Sequence, residues 1–333
     1  MRFPLVLHTS MVKYLWCMHR NGTDKFPLVL MLEPTHLCNL HCPGCGRIRE
    51  YKDTLNEKLT VEQCLKAVDE CGAPVVTITG GEPLLYDEVD VLVKEILARK
   101  KNIYFCTNGT LLSESLHMFK PDPRFSFNVH MDGPEEVHDE ILGKQGIFAK
   151  ALDGIIKAKE KGFRVTTNTT IYRETKISDI ERLFRLLDNI GVDGLLVSPG
   201  FAYDSVTDQM FLTKEEIVSK FREIEKFSKR YKIISTPLYL EFLTGRREFK
   251  CTPWGNPTYN VLGWKSPCYL ITDTHYKTFK ELMVKTDWDK YVNKRDKRCK
   301  DCMVHCGFEP TAVREISKSW RDLWKMIVWN LHG

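Results

Sequence analysis

The sequence predicts an α/β protein: a partial, TIM-like (β/α)6 barrel with a small Cys-rich C-terminal extension. Three observations carry this expectation. Short β-branched or apolar runs alternate with amphipathic helical stretches through the first two-thirds of the chain. Strands joined in this way run parallel, with the helices outside. Beyond about residue 235 the character changes, and five of the 12 cysteines fall between 251 and 306. The 333 residues are 43% hydrophobic and 28% charged, the balance of a globular enzyme. A formal net charge of +5 is too mild to suggest a nucleic-acid binder. No apolar run nears the roughly 18 residues that a membrane-spanning helix needs. No signal-peptide pattern is visible either, which points to a reducing cytoplasmic compartment where cysteines serve metal or thiol chemistry.

The elements follow in order. Residues 1–25 form an N-terminal helical segment and 26–235 the barrel. Its strands are expected at Leu28–Leu32, Val75–Ile78, Ile103–Cys106, Phe125–Val129, Val165–Ile171 and Leu195–Val197. Helical patterns cover Val61–Cys71, Val89–Arg99, Ala149–Lys161 and Ile177–Ile190. The first opens with a capping box at Thr60–Gln63, and the last ends before Gly191, a C-cap residue. Residues 236–310 read as a loop-rich Cys module, and 311–333 as an amphipathic C-terminal helix over about Val313–Leu331. Its stripe (Ile316, Trp320, Leu323, Trp324, Ile327, Leu331) suits either packing back onto the barrel or the surface of a membrane. Packing onto the barrel is the commoner fate of such helices.

Cys38, Cys42 and Cys45 place three thiols within eight residues directly after the first strand. Three thiolates hold three irons of a [4Fe–4S] cube and leave the fourth open to a chelating amine and carboxylate. Structural zinc is the alternative, with His36 and His41 nearby, but no fourth ligand has ordinary finger spacing. The C-x3-C-x2-C spacing resembles the signature of the radical S-adenosylmethionine (SAM) enzymes. A second resemblance is Gly80-Gly81-Glu82-Pro83 at the end of the second strand. There the family's glycines let backbone approach the methionine moiety, and Glu82 would accept from its ammonium. Gly44 departs from the aromatic that many members carry before the third cysteine. The resemblance further implies SAM contacts from Asn108, His130, Asp132, Asn168 and Ser198 at later strand ends, although a capped turn explains each equally well.

Longer stretches resemble one subfamily: Phe26–Pro34, Val68–Leu85, Gly162–Thr170, Val197–Tyr203, Cys251–Leu270 and Asp301–Gly307. They are similar to the adenosylhopane synthases (adenosyl-hopene transferases) of hopanoid biosynthesis. That family adds the 5′-deoxyadenosyl radical to the terminal alkene of a hopene. Addition leaves a tertiary carbon radical, and a thiol S–H is weaker than the C–H it would form. Cys106, at the C-terminal end of the third strand, is the candidate hydrogen donor; an inert buried thiol is the plain alternative. Cys17, Cys64 and Cys71 read as packing residues. The resemblance implies a hopene-type lipid and an external electron donor such as flavodoxin or ferredoxin, with peripheral contact on the inner membrane face.

Cys251, Cys268, Cys299, Cys302 and Cys306 resemble auxiliary-cluster extensions of other radical SAM enzymes and offer five ligands for a second [4Fe–4S] cluster, with zinc as the alternative and His305 as a further ligand. Two other readings stay open: a radical SAM peptide maturase with an auxiliary cluster, and a non-catalytic iron–sulfur electron carrier. Six βα units argue against a carrier, which needs no substrate barrel.

Overall fold

A computed structural model describes residues 1–203, 205–206, 209–316 and 318–331. Six strands lie side by side in chain order, each parallel to the next: β1 (Val29–Leu32), β2 (Val75–Ile78), β3 (Asn102–Thr107), β4 (Phe125–His130), β5 (Arg164–Ile171) and β6 (Gly194–Pro199). The helix α1 (Leu5–Arg20) precedes them. The crossovers hold α2 (Gly46–Glu50), α3 (Val61–Cys71), α4 (Val89–Ala98), α5 (Leu112–Ser115), α6 (Glu135–Leu142), α7 (Ile147–Glu160) and α8 (Ile177–Ile190), while α9 (Lys214–Ile224) and α10 (Pro237–Leu243) follow β6. The sheet stays open, as a partial barrel requires. At α3 the Thr60 hydroxyl accepts from the Gln63 amide and the Gln63 side chain from the Thr60 amide, and Gly191 closes α8 at φ +79°.

Alternation along the strands sorts the two faces. Phe105, Phe125 and Phe127 face the outer helices and meet Phe119 and Phe163. Phe127 is central, with ring centroids 4.8 Å from Phe125, 5.2 Å from Phe163 and 5.6 Å from Phe119. The intervening residues Tyr104, Cys106, Asn128, His130, Thr166 and Asn168 occupy the inner face.

The Cys-rich segment continues the barrel sheet. β7 (Thr258–Asn260) pairs in parallel with β1, Met31 opposite Thr258, and β8 (Gly263–Pro267) and β9 (Thr272–Tyr276) follow antiparallel. The order is therefore β6-β5-β4-β3-β2-β1-β7-β8-β9. Without β7 the outer backbone groups of β1 would be buried and unpaired. Then come α11 (Phe279–Lys285), α12 (Trp288–Val292), α13 (His305–Ile316) and α14 (Trp320–Leu331).

The single C-terminal helix expected from the pattern is thus two, because Ser319 starts a new helix, its hydroxyl accepting from the Asp322 amide at 3.3 Å. The apolar stripe of α14 also does not pack onto the barrel. Asp322 and Met326 take the inner side, leaving Trp320, Leu323, Trp324, Ile327 and Leu331 exposed. No helix among the described residues is long and apolar enough to cross a membrane.

Phe127→Ala should cost about 3–5 kcal/mol by opening a cavity among the four rings. A urea midpoint lowered at unchanged slope will show it; a loss under about 1 kcal/mol would mean that the rings collapse into the space.

Candidate radical SAM site

The cysteine loop is pinned to the Gly80–Pro83 turn by main-chain hydrogen bonds. Gly81 N–H donates to Thr35 O (3.1 Å) and Glu82 N–H to Leu37 O (2.8 Å). A Cβ on Gly81 would overlap the carbonyl oxygens of His36 and Leu37, and one on Gly80, at φ +116°, that of Thr35. These glycines let the loop bearing Cys38, Cys42 and Cys45 lie directly on the end of β2. Pro83 opens the short turn that follows and is buried.

Glu82 is buried, and its carboxylate accepts three protein hydrogen bonds: Leu84 N (3.1 Å), Thr107 Oγ1 (2.8 Å) and Asn108 N (2.8 Å). Burial lifts its pKa to about 7 against the pull of these donors. Little of the carboxylate remains for an external ammonium; it clamps the β2 turn to the end of β3. The Asn108 side chain donates to Asn39 Oδ1 (2.9 Å) and lies 4.0 Å from Cys38 Sγ. Burial pushes the thiols of Cys38 and Cys42 up to about 11 and about 12, so iron binding here releases protons.

His130 Nε2 lies 2.7 Å from Asp132 Oδ2. Burial works against a charged ring, but Asp132 outweighs it through charge and hydrogen bonding, and the His130 pKa rises. Asp132 is itself fully buried, and its Oδ1 accepts from Thr170 N at 2.7 Å, so it orients His130 and β5. Asn168 Oδ1 is buried without a hydrogen-bond partner, an acceptor that suits a ribose hydroxyl. Ser198 is engaged elsewhere: its hydroxyl accepts from His305 N (3.3 Å) and lies 3.4 Å from Tyr239 Oη, tying β6 to α13. Cys106 is on the inner face of β3, opposite Asn128 on β4, whose amide donates to Cys106 Sγ at 3.4 Å.

Cys251, Cys268, Cys299, Cys302 and Cys306 all line one apolar cavity, with Phe201 and Tyr269 among its walls. The donor set fits an iron–sulfur cluster: five thiols from three chain segments, all raised by burial. His305 is not among the lining residues. No group of three or more His, Cys, Asp or Glu among the described residues is disposed to hold a single metal ion.

Sequence reasoning missed what lies between the two cysteine sets. Arg47, two residues past Cys45, is buried; its Nε lies 3.3 Å from Glu33 Oε1 and its guanidinium carbon 3.9 Å from the Tyr269 ring centre, and it donates to the Tyr269 carbonyl. Lys265, fully buried on β8, sits 3.2 Å from Glu50 and donates to the same carbonyl at 3.0 Å. Burial lowers its pKa to about 8. Tyr203 packs so tightly on Gly46 that a Cβ there would overlap its ring. At Gly44, Met210 Sδ and Tyr172 Oη stand 3.0 and 3.4 Å from where a Cβ would be. Side chains from distant loops thus fill the place of the absent aromatic. A dense run of charge after Cys45 (Arg47, Arg49, Glu50) was the one visible signal.

Residues 32–187 match the Radical SAM superfamily, and residues 195–326 match a domain of unknown function (DUF3463) that spans all five C-terminal cysteines. Over residues 32–187 the chain is thus similar to the radical SAM enzymes, the class whose cofactors are a [4Fe–4S] cluster and SAM. It is 31% identical to the GTP 3′,8-cyclase of Aquifex aeolicus over 49% of this chain and 54% of that protein. It is 30% identical to the pre-heme d1 synthase of Dinoroseobacter shibae, over 53% and 44%. The chain thus spans about half the length of these two relatives. With the GTP 3′,8-cyclase of Clostridium perfringens (strain SM101) identity is 26% over 87% and 88%. Among solved structures, SuiB of Streptococcus suis bound to S-adenosylmethionine superposes with a TM-score of 0.66 at 16% identity, covering 87% of this chain and 75% of that one. That likeness establishes the fold.

Gly81→Ala should push the Leu37 carbonyl aside and destabilise the protein by about 1–3 kcal/mol. Melting temperature and iron retained after anaerobic reconstitution should both fall. Wild-type values for both would mean that the loop yields without cost.

Proposed function

We propose that this protein is a radical SAM adenosyltransferase that joins the 5′-deoxyadenosyl group to the terminal alkene of a hopene-type lipid. The observation that carries the reading is Cys106. Burial foremost, and the nearby Glu82 charge, raise its pKa to about 11, and a thiol holds its hydrogen at neutral pH even at its ordinary value. A hydrogen-atom donor needs that protonated state. Asn128 directs the sulfur across the inner face, where a substrate radical would form.

When bound, the first cluster supplies the electron that splits SAM into methionine and the 5′-deoxyadenosyl radical. In this reading Cys38, Cys42 and Cys45 hold that cluster. The backbone of Gly80, Gly81 and Pro83 and the Glu82 clamp shape the methionine end of the site, with Asn108 steadying the cysteine loop. His130, oriented by Asp132, receives the SAM carboxylate or ribose, and Asn168 a ribose hydroxyl; Ser198 supports the wall from behind. The 5′-deoxyadenosyl radical would add through C5′ to the alkene CH2, forming the carbon–carbon bond at the expense of the π bond and leaving a tertiary radical on the inner face beside Cys106. Cys106 gives up its hydrogen atom, and one electron and one proton from outside restore the thiol. Two electrons are consumed per turnover, which an external flavodoxin or ferredoxin supplies.

Anaerobic reconstituted protein with SAM, reductant and a hopene in deuterated water should give a coupled product with one deuterium at the tertiary carbon. Cys106→Ala should still cleave SAM and form the bond but lose that deuterium or end as an alkene. No coupled product from the wild type sinks the substrate; unchanged yield and labelling in the variant sink the role of Cys106.

The five C-terminal cysteines are proposed to bind a second [4Fe–4S] cluster. Reconstituted wild type should hold about eight irons, and the Cys38/Cys42/Cys45→Ala protein about four with no SAM cleavage. About four in the wild type and none in the variant would leave a single cluster.

A further inference from the structure

Two helices at one end of the molecule turn large apolar side chains to water. On α1, Leu5, Val12 and Trp16 recur at i, i+7 and i+11, and none of its 16 residues is buried. On α14, Trp320, Leu323, Trp324, Ile327 and Leu331 form a matching stripe. Trp320 is 80% exposed, Trp324 64%, Trp16 61% and Val12 66%. The stripe on α14 does not come from a loose helix, since Asp322 on its inner side is gripped by Arg247 at 2.8 and 3.1 Å and Met326 packs against the core.

The two helices are joined end to end. Arg2 N–H donates to Asn330 O (3.2 Å) and Arg2 Nε to Trp329 O (3.1 Å), Phe3 N–H donates to Asn330 Oδ1 (2.9 Å), and the Phe3 and Trp329 rings lie 5.6 Å apart. Their junction sits at the N-terminal ends of the barrel strands. Arg164, the first residue of β5, donates to Arg2 O, and Arg2 reaches Tyr231 O beside the start of β6. The cysteine loop and the Gly80–Pro83 turn are at the opposite, C-terminal ends.

Charge selects the occupant. α1 holds no Asp or Glu, while Lys13 and Arg20 stand exposed on it. On α14 Arg321 is exposed, and the lone acid, Asp322, is buried under Arg247. Tryptophan favours the headgroup boundary and exposed cations favour anionic lipid, so apolar stripes bearing exposed cations fit a bilayer surface. We propose that α1 and α14 together form the surface by which this protein rests on an anionic membrane, with the N-terminal ends of the barrel strands on the side of the lipid. The surface rests on exposure and charge, not on the identity of the substrate. It deepens the lipid reading only in placing the protein on the phase that holds an apolar substrate.

Flotation of the full chain with phosphatidylglycerol/phosphatidylcholine vesicles, against phosphatidylcholine alone, tests it. Binding should need the anionic lipid and weaken with salt. Trp16→Ser/Trp320→Ser/Trp324→Ser should abolish flotation, and Lys13→Gln and Arg321→Gln should each weaken it about fivefold. SAM cleavage in detergent-free solution, unchanged in these variants, shows that they fold and keeps this test separate from the hopene assay. Absent flotation of the wild type overturns the proposal. So does flotation by the tryptophan variant equal to wild type, or a wild-type dimer in sedimentation that this variant dissolves, which would assign the face to a second copy.

Discussion

A guanidinium cut off from water governs how the barrel meets its extension. Arg47 is buried between Glu33 at the end of β1, Tyr51 beyond α2, and Tyr269 past β8. Lys265 and Glu50 complete the group, so two cations face two carboxylates. Charges this deep are tolerated only when paired and hydrogen-bonded, and stripping one partner from such a group costs about 3–5 kcal/mol. The network is therefore an all-or-none lock. Its members flank Cys45 on one side and Cys268 on the other, so both cysteine sets take their position from the same lock.

The cysteine loop is shaped before any iron arrives. Its backbone is bonded to the Gly80–Pro83 turn, the turn is clamped to β3 through Glu82, and β3 holds the loop again through Asn108 and Asn39. A loop fixed from two strands loses little further freedom on binding a cluster, which is what preorganisation means energetically. The same clamp explains why polar residues crowd the strand ends: several support one another.

The molecule is polarised along the barrel axis. Buried polar networks and thiols gather at the C-terminal strand ends, as βα loops require. Exposed tryptophans and leucines of α1 and α14 gather at the other end.

The sequence by itself determined the six parallel strands, the limits of α3, α4, α7 and α8 to within two residues, and the cysteine triad with its glycine turn. Those features are local: a period of two or 3.6, a capping box, three thiols within eight residues. Only tertiary structure decided that β7 would extend the sheet from β1, that Met210 and Tyr172 would fill the space at Gly44, and that Arg47 would pair with Glu33. It also decided the outward turn of the α14 stripe, because an amphipathic pattern fixes that a helix has two faces but not which one meets the protein. There the choice was made by Arg247 gripping Asp322, a contact between residues 75 positions apart. Such pairings depend on which chain segments the fold brings together, and no local spacing encodes that.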